Sequence, residues 1–442
     1  MSGISLPSPT VPVHTYVKPP ASSSSSSPRL YPELVDIVID HCHDDRGTLQ
    51  ALSFVCKDWL PSTRFHLFSQ IKLTSHNYPT FLPLLTHPNS TLPHCISKLN
   101  LIQDINNERE WLNHLIPDLT ILLPHTRSFT IVSGETKLTR NTRDALSKGW
   151  NGLTEISLKE ASFRTFREFQ DVMCGFPMLE GVELEGSWSK IGYGTGIGNT
   201  NAEYMLSWLP PPRTIPPGHP FAFAFGHDGY DLEGLSAHSH PRLVPSLPPR
   251  PSNTLIKLEL TTCPTQDVLN WFMALTPIPL MKVLHLGHII SEEIPSISRY
   301  LRVCGDRLEE LGLQPERQVQ DILPQQIDLH SNTSIHTLTI DLSFCSQDFH
   351  TPLVVQILSQ ISRISLRTVT IIPGPLPSKV QTNHWSQIDD ALSLFPYLTK
   401  VVVLTKCLPG GHGIMAEEPN LLRRCAEKGI LRVGVRQKGT PF

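Results

Sequence analysis

Along most of the chain, apolar residues recur as apolar-x-x-apolar-x-apolar, and the register returns at a nearly constant interval. It opens at Phe68, Ile71 and Leu73, then returns at Ile96/Leu99/Leu101, at Thr126/Phe129/Ile131, at Leu153/Ile156/Leu158 and at Leu179/Val182/Leu184. After a gap it resumes at Leu255/Leu258/Leu260, Met281/Leu284/Leu286, Leu308/Leu311/Leu313, Ile335/Leu338/Ile340, Leu366/Val369/Ile371, Leu398/Val401/Val403 and Ile430/Val433/Val435. The twelve starts are separated by 28, 30, 27, 26, 76, 26, 27, 27, 31, 32 and 32 residues. A fixed period marks a stack of repeats. In each unit the closing apolar-x-apolar step has the alternation of a short strand. The residues after it, such as Phe163, Phe166, Phe169 and Met173, have helical spacing. One such unit cannot bury its own apolar face, so neighbours must stack into a continuous core.

One strand and one helix per unit of mostly 26–32 residues resembles the leucine-rich repeat, whose period is about 20–29. The resemblance implies an α/β horseshoe solenoid over residues 74–442, with a parallel inner sheet and outer helices. One position departs from the family pattern. Eight residues after the first apolar position, where the family carries Asn or Cys, this chain has Ala161, Ser187, Ile289, Glu316 or Ser343, and only Cys263 fits. The buried ladder that this residue normally makes must be replaced or missing.

Ahead of the repeats, residues 29–73 read as three short helices. Pro32 suits a first helical turn, where its missing N–H is not needed, and Leu34, Ile37 and Val38 then share a face. Thr48 is the expected N-cap of a second helix carrying Leu49, Leu52 and Val55. About forty residues cannot make a self-sufficient core, so a partner protein should cover the surplus apolar face. Leu30-x-Pro32-x-Leu34, the spacing to Leu49, and Val55-Cys-Lys-x-Trp59 resemble the F-box, in the wording common in mushroom-forming fungi. Tyr31 stands where that motif often has proline. The resemblance implies that Leu30, Pro32, Leu34, Ile37, Val38, Leu49, Leu52, Val55 and Trp59 dock the Skp adaptor of a cullin-RING ubiquitin ligase, while the repeats recruit a protein substrate. The rival reading is a non-ligase scaffold in which the helical segment only caps the solenoid.

Composition narrows the remaining classes. Charge is balanced, with 37 Lys+Arg against 40 Asp+Glu, so no electrostatic argument favours nucleic acid or anionic lipid. The longest apolar runs, such as Val401–Leu404, fall far short of the ~20 residues that span a bilayer. Of 40 prolines, seven lie in residues 1–32 and eleven in 210–251. Residues 1–28, with the serine run Ser22–Ser27, are expected to be a disordered tail without a signal peptide, and 210–251 a long loop inserted in the solenoid. Nine scattered cysteines without a C-x-x-C pair point to a reducing compartment, cytoplasm or nucleus.

Chemistry-bearing motifs are weak. Gly192–Gly198 lacks the strand, helix and Lys-Ser/Thr of a phosphate loop. His219, His227, His238 and His240 lie in the proline loop, a poor frame for metal geometry, and Gly234-Leu-Ser236-Ala-His238 is not a nucleophile elbow. No active site, metal or cofactor is expected. The inner face is more informative. Its middle presents Glu155, Ser157, Lys159, Glu183, Glu185, Lys257, Glu259, His285, Glu310, Thr339 and Asp341. Its end presents Thr370, Ile372, Lys400, Val402, Leu404, Arg432 and Arg436. Of these, Ile372, Lys400, Val402, Leu404, Arg432 and Arg436 are the candidate substrate surface, an apolar centre with a cationic rim.

Overall fold

The computed structural model describes residues 31–103, 111–132, 138–188, 250–344, 351–374, 382–406 and 422–436. The expected tail 1–28, Leu30, the glycine run 192–198, the proline loop's four histidines and nearly all of 210–251 lie outside the described residues. Two compact units are resolved, Met1–Leu67 and Phe68–Phe442. The boundary falls a few residues before the expected 73, because residues 70–74 already belong to the repeat sheet.

The first unit holds three helices: α1 Pro32–His41, α2 Arg46–Leu52 and α3 Leu60–Phe68. Pro32 occupies the first turn of α1 as expected. The cap of α2 differs from expectation. Asp45, not Thr48, is the N-cap; its Oδ1 accepts from the Thr48 N–H at 3.0 Å and its Oδ2 from the Thr48 hydroxyl at 2.6 Å. A carboxylate at a helix N-terminus also meets the positive end of the dipole, an advantage the hydroxyl of Thr48 lacks. The core of this unit is small: Val35, Ile39 and Leu49, with Cys42, Leu52, Trp59 and Leu67 partly buried against it.

In the second unit every apolar triad of the sequence pattern brackets a strand. The strands are β1 Gln70–Thr74, β2 Lys98–Ile102, β3 Ser128–Val132, β4 Glu155–Phe163, β5 Gly181–Trp188 and β6 Lys257–Thr261. They continue as β7 Val283–Ile289, β8 Glu310–Pro315, β9 Thr337–Asp341, β10 Thr368–Ile372, β11 Lys400–Lys406 and β12 Leu431–Arg436. All twelve form one parallel sheet in sequential order, the α/β leucine-rich-repeat-like solenoid that the period predicts. β5 pairs directly with β6, so the 76-residue step between their repeats leaves the sheet unbroken. Helices such as Trp111–Leu122, Arg140–Gly149, Phe166–Met173, Thr265–Met273, Ile294–Cys304, Thr351–Gln360 and Thr382–Ser393 link successive strands.

Packing follows from the triads. Leu99, Leu101, Phe129, Ile131, Leu258, Leu260, Leu338, Ile340, Val401 and Val403 are buried in one continuous cluster with the helices. Each such side chain contributes about 1.5–3 kcal/mol. The imperfect first place at Thr126 is buried too, its hydroxyl donating to the Leu123 carbonyl at 3.0 Å. The last triad behaves differently: Val433 is half exposed, on β12, the edge strand of the sheet among the described residues.

The missing asparagine position has a physical answer. Glu160, Thr262 and His288, each seven residues after the first apolar position, have φ of 56°, 52° and 49°. The left-handed kink turns the next residue inward, and Ala161, Cys263 and Ile289 are buried as apolar pegs. The joining hydrogen bonds are made instead at the opposite end of the strands. The carbonyls of Ser69, Ser97, Arg127, Thr154, Glu180, Ile256, Lys282, Glu309, His336 and Arg367 each accept two successive N–H groups from the next repeat, at 2.8–3.2 Å. Thr154 and Thr399 add hydroxyl donors to the carbonyls of Arg127 and Arg367 at 3.1 Å.

Candidate functional site

On α1, about 100° of rotation per residue places Ile37, Leu34, Val38, Cys42, Val35 and Ile39 on one apolar arc about 200° wide. A helix packed on a single core needs a stripe of roughly half that width. Only the Val35/Ile39 side of the arc meets the unit's own core. The polar side is tied to α3, where His66 Nε2 lies 2.8 Å from Asp40 Oδ1 and the Ser62 hydroxyl donates to Asp36. These two attachments leave Leu34, Ile37 and Val38 facing outward, 48%, 51% and 47% exposed.

Val55 joins this exposed set at 59%, and Pro32 is exposed in the first turn. The other expected docking residues are placed elsewhere. Leu49 is buried in the core, and Leu52 and Trp59 pack against it, so these three hold the helices together and do not form the outward face. Three residues absent from the sequence expectation take their place: Phe54 is 88% exposed, and Tyr31 and Phe65 are also exposed. Their signal was present as bulky aromatics that no helical face of the module could bury.

The second surface is the face of the sheet on which residues alternate with the core triads. Register aligns one unbroken row across it: Lys72, Asn100, Thr130, Ser157, Glu183, Glu259, His285, Gly312, Thr339, Thr370, Val402 and Arg432. The middle of the row is internally neutralised. Glu183 accepts from the Ser157 hydroxyl at 2.7 Å and pairs with Lys159 at 2.8 Å. Glu259 pairs with Lys257 at 2.9 Å and faces His285 Nδ1 at 3.4 Å, while His285 Nε2 lies 2.9 Å from Glu310.

His285 is buried, and its ring rests where Gly312 lacks a side chain; a Cβ there would come within 2.7 Å of the ring. Burial lowers the imidazole pKa, but the nearby Glu259 carboxylate and the hydrogen bond to Glu310 outweigh it and the net shift is upward. Glu259 is shifted down, its burial outweighed by His285 and Lys257, and the His285 hydrogen bond holds Glu310 down as well. Further along, Gln314 donates to Asp341 at 2.8 Å, and both are buried.

At the far end the expected substrate residues divide. Lys400 and Arg432 are exposed, and Val402 and Leu404 half-buried. Ile372 is 2% exposed, a correction to its expected place on an exposed surface, although it is not part of the continuous core cluster. It sits beside Asp341 in the register, which is buried too. Arg436 pairs in register with Lys406, and its side chain lies outside the described residues.

Other chemistries find no frame among the described residues. No group of three or more His, Cys, Asp or Glu is placed to hold a metal, and no helix is long and apolar enough to cross a membrane. Burial pushes the thiols of Cys174 and Cys425 up to about 12 and that of Cys304 to about 11, far from a reactive thiolate.

No protein-family model and no curated protein matches the chain. Among solved structures, one described as "Crystal structure of Rad7 and Elc1 complex in yeast" overlaps 93% of this chain and 90% of its own, with 13% identity and a TM-score of 0.35. At that identity no residue role transfers.

Proposed function

We propose that this chain is a substrate-recruiting subunit of a cullin-RING ubiquitin ligase, with the helical module docking an Skp-family adaptor and the repeats binding the protein substrate. The observation that carries this reading is the second apolar stripe of α1. Leu34, Ile37 and Val38, with Val55, Phe54 and Tyr31, are exposed on a module whose buried apolar core, among the described residues, is Val35, Ile39 and Leu49. The F-box resemblance of Pro32-x-Leu34 and Val55-Cys-Lys-x-Trp59 names the partner that fits it.

The test is capture of purified Skp adaptor by the intact chain and by a Leu34→Asp, Ile37→Asp variant. Losing about 2 kcal/mol of apolar burial at each position weakens binding roughly a thousandfold, which abolishes capture. Both side chains lie outside the unit's core, so the far-UV circular dichroism and melting temperature should hold. Undiminished capture by the variant, or no capture by the unmodified chain, favours the stand-alone scaffold.

A further inference from the structure

We infer that the open face of β10–β12 receives an extended segment of a partner protein bearing a carboxylate followed, at two-residue spacing, by apolar side chains. Describing that partner as the ligase substrate rests on the function proposed above; the surface itself does not. The middle and the end of the row differ in how their charges are matched. In the middle of the sheet each cation is matched: Lys159 by Glu183, Lys257 by Glu259, and His285 by Glu259 and Glu310. At the end, Lys400 and Arg432 are exposed and, among the described residues, neither has a carboxylate within ion-pair distance. Solvent-exposed cations beside apolar surface offer charge complementarity to an anionic partner.

Geometry sets the form of that partner. Lys400, Val402 and Leu404 alternate along β11, so they share one face about 6.6 Å apart. Arg432 is the register partner of Val402 on β12, and Thr370 its partner on β10. Leu404 leans over Gly434, where a Cβ would come within 3.2 Å of its Cδ2, so this glycine leaves a shelf for the leucine. An extended peptide has the same two-residue repeat as the strand beneath it. Its carboxylate meets Lys400 or Arg432 while its apolar side chains cover Val402 and Leu404.

One competing occupant is internal: residues 411–419 carry Ile414, Met415, Glu417 and Glu418, a segment of similar chemistry. The test uses a short fluorescent peptide with the core Asp-Ser-Leu-Ser-Leu, a control with Lys for Asp, and the intact chain, read by anisotropy. The expected result is saturable binding of the acidic peptide alone, weakened about tenfold by Lys400→Glu with Arg432→Glu and by raising salt from about 0.05 to 0.5 M. These two residues are exposed, so the variant keeps its melting temperature even where Val402→Glu with Leu404→Glu unfolds the last repeats. No binding, equal binding of the Lys control, or binding indifferent to charge reversal overturns the proposal. So does a tenfold gain when residues 411–419 are replaced by Gly/Ser, since the face is then self-occupied. Adaptor capture measured on the same protein separates the two readings: its failure with peptide binding intact removes the ligase and leaves the surface.

Discussion

Trp150→Ala is expected to cost about 3–5 kcal/mol and to split the cooperative unfolding of the repeats. Trp150 is fully buried, its ring centroid lies 4.6 Å from that of Phe129, and its Nε1 donates to the Leu123 carbonyl at 2.9 Å. The side chain thus joins the turn before β4 to the core residue of β3 and to the end of the helix Trp111–Leu122. Truncation leaves a large cavity between neighbouring repeats. It also removes the indole N–H from the Leu123 carbonyl, which keeps the Thr126 hydroxyl and N–H as donors, so the lost hydrogen bond adds only about 0.5–1.5 kcal/mol. In a repeat array stability is a sum of unit and nearest-neighbour terms, so damage at one interface uncouples the strands on either side. Urea unfolding followed by circular dichroism should show a lower midpoint with a shallower or divided transition, and hydrogen exchange should accelerate first in β3 and β4. Trp150→Phe keeps the contact with Phe129 and loses only the N–H donor, so its cost should stay near 1 kcal/mol. A Trp150→Ala midpoint indistinguishable from the unmodified chain would show that the repeats do not depend on this interface.

The sequence period was enough to place all twelve strands because it records burial, and burial follows the pattern at the inner repeats, Thr126 included, and loosens only in the first and last triads at Phe68, Ile430 and Val433. What the period leaves open is direction beyond the alternating rule. Ile372 has the parity of an outward residue and stands outside the continuous core cluster, yet it is buried, as is its row neighbour Asp341, which accepts from Gln314; alternation alone does not say which outward positions stay exposed. Leu49, Leu52 and Trp59 read as one docking set with Leu34, but three helices need some core, and the residues of α2 supply it. The exposed Phe54 lies off the Leu52/Val55 stripe, so helical spacing does not single it out. The cap of α2 lies three residues before Thr48, since Asp45 and Thr48 are both good capping types and only geometry chooses between them. The charges of Glu259, His285 and Glu310 were legible as a mildly acidic row. That they form a single network was not, because the contacts join residues 25 and 26 apart whose alignment depends on the register of β6, β7 and β8.

That network leads to the second large effect, a stability that falls as pH rises, with two separable origins. His285 binds its proton more tightly folded than unfolded, since its pKa is raised from 6.5. Its contribution is therefore complete below about 6.5 and is lost as pH climbs through the folded value. Glu259 and Glu310 are shifted down from 4.5, so their contribution is complete above about 4.5 and is lost as pH falls through the folded values. The staple across β6, β7 and β8 is strongest between about 4.5 and 6.5. The groups facing His285 are Glu259 and Glu310, with Lys257 held on Glu259. His285→Gln should remove the decline above 6.5 and cost about 2–3 kcal/mol at pH 6, less than the roughly 3–5 of a fully buried pair, because Glu310 is a third exposed. Gly312→Ala should give the same loss of pH dependence by a different route, displacing the ring with its new Cβ.

Glu293 acts at lower pH and through the opposite kind of group. Its carboxylate is buried and accepts the Thr265 N–H at 2.8 Å, capping the helix Thr265–Met273 from the next repeat. Burial pushes its pKa from 4.5 up to about 7 despite those hydrogen bonds. The folded chain holds the proton where the unfolded chain has lost it, so this contribution declines between about 4.5 and 7. Glu293→Gln, which keeps an acceptor for Thr265 and cannot ionise, should flatten the melting temperature over that lower range and leave the fall above it untouched. His285→Gln should do the reverse. Melting curves of the two variants and their double mutant between pH 4.5 and 8.5 check the assignment. Identical pH profiles for the unmodified chain and His285→Gln would mean that the imidazole binds its proton equally in the folded and unfolded chain and contributes nothing to the pH dependence.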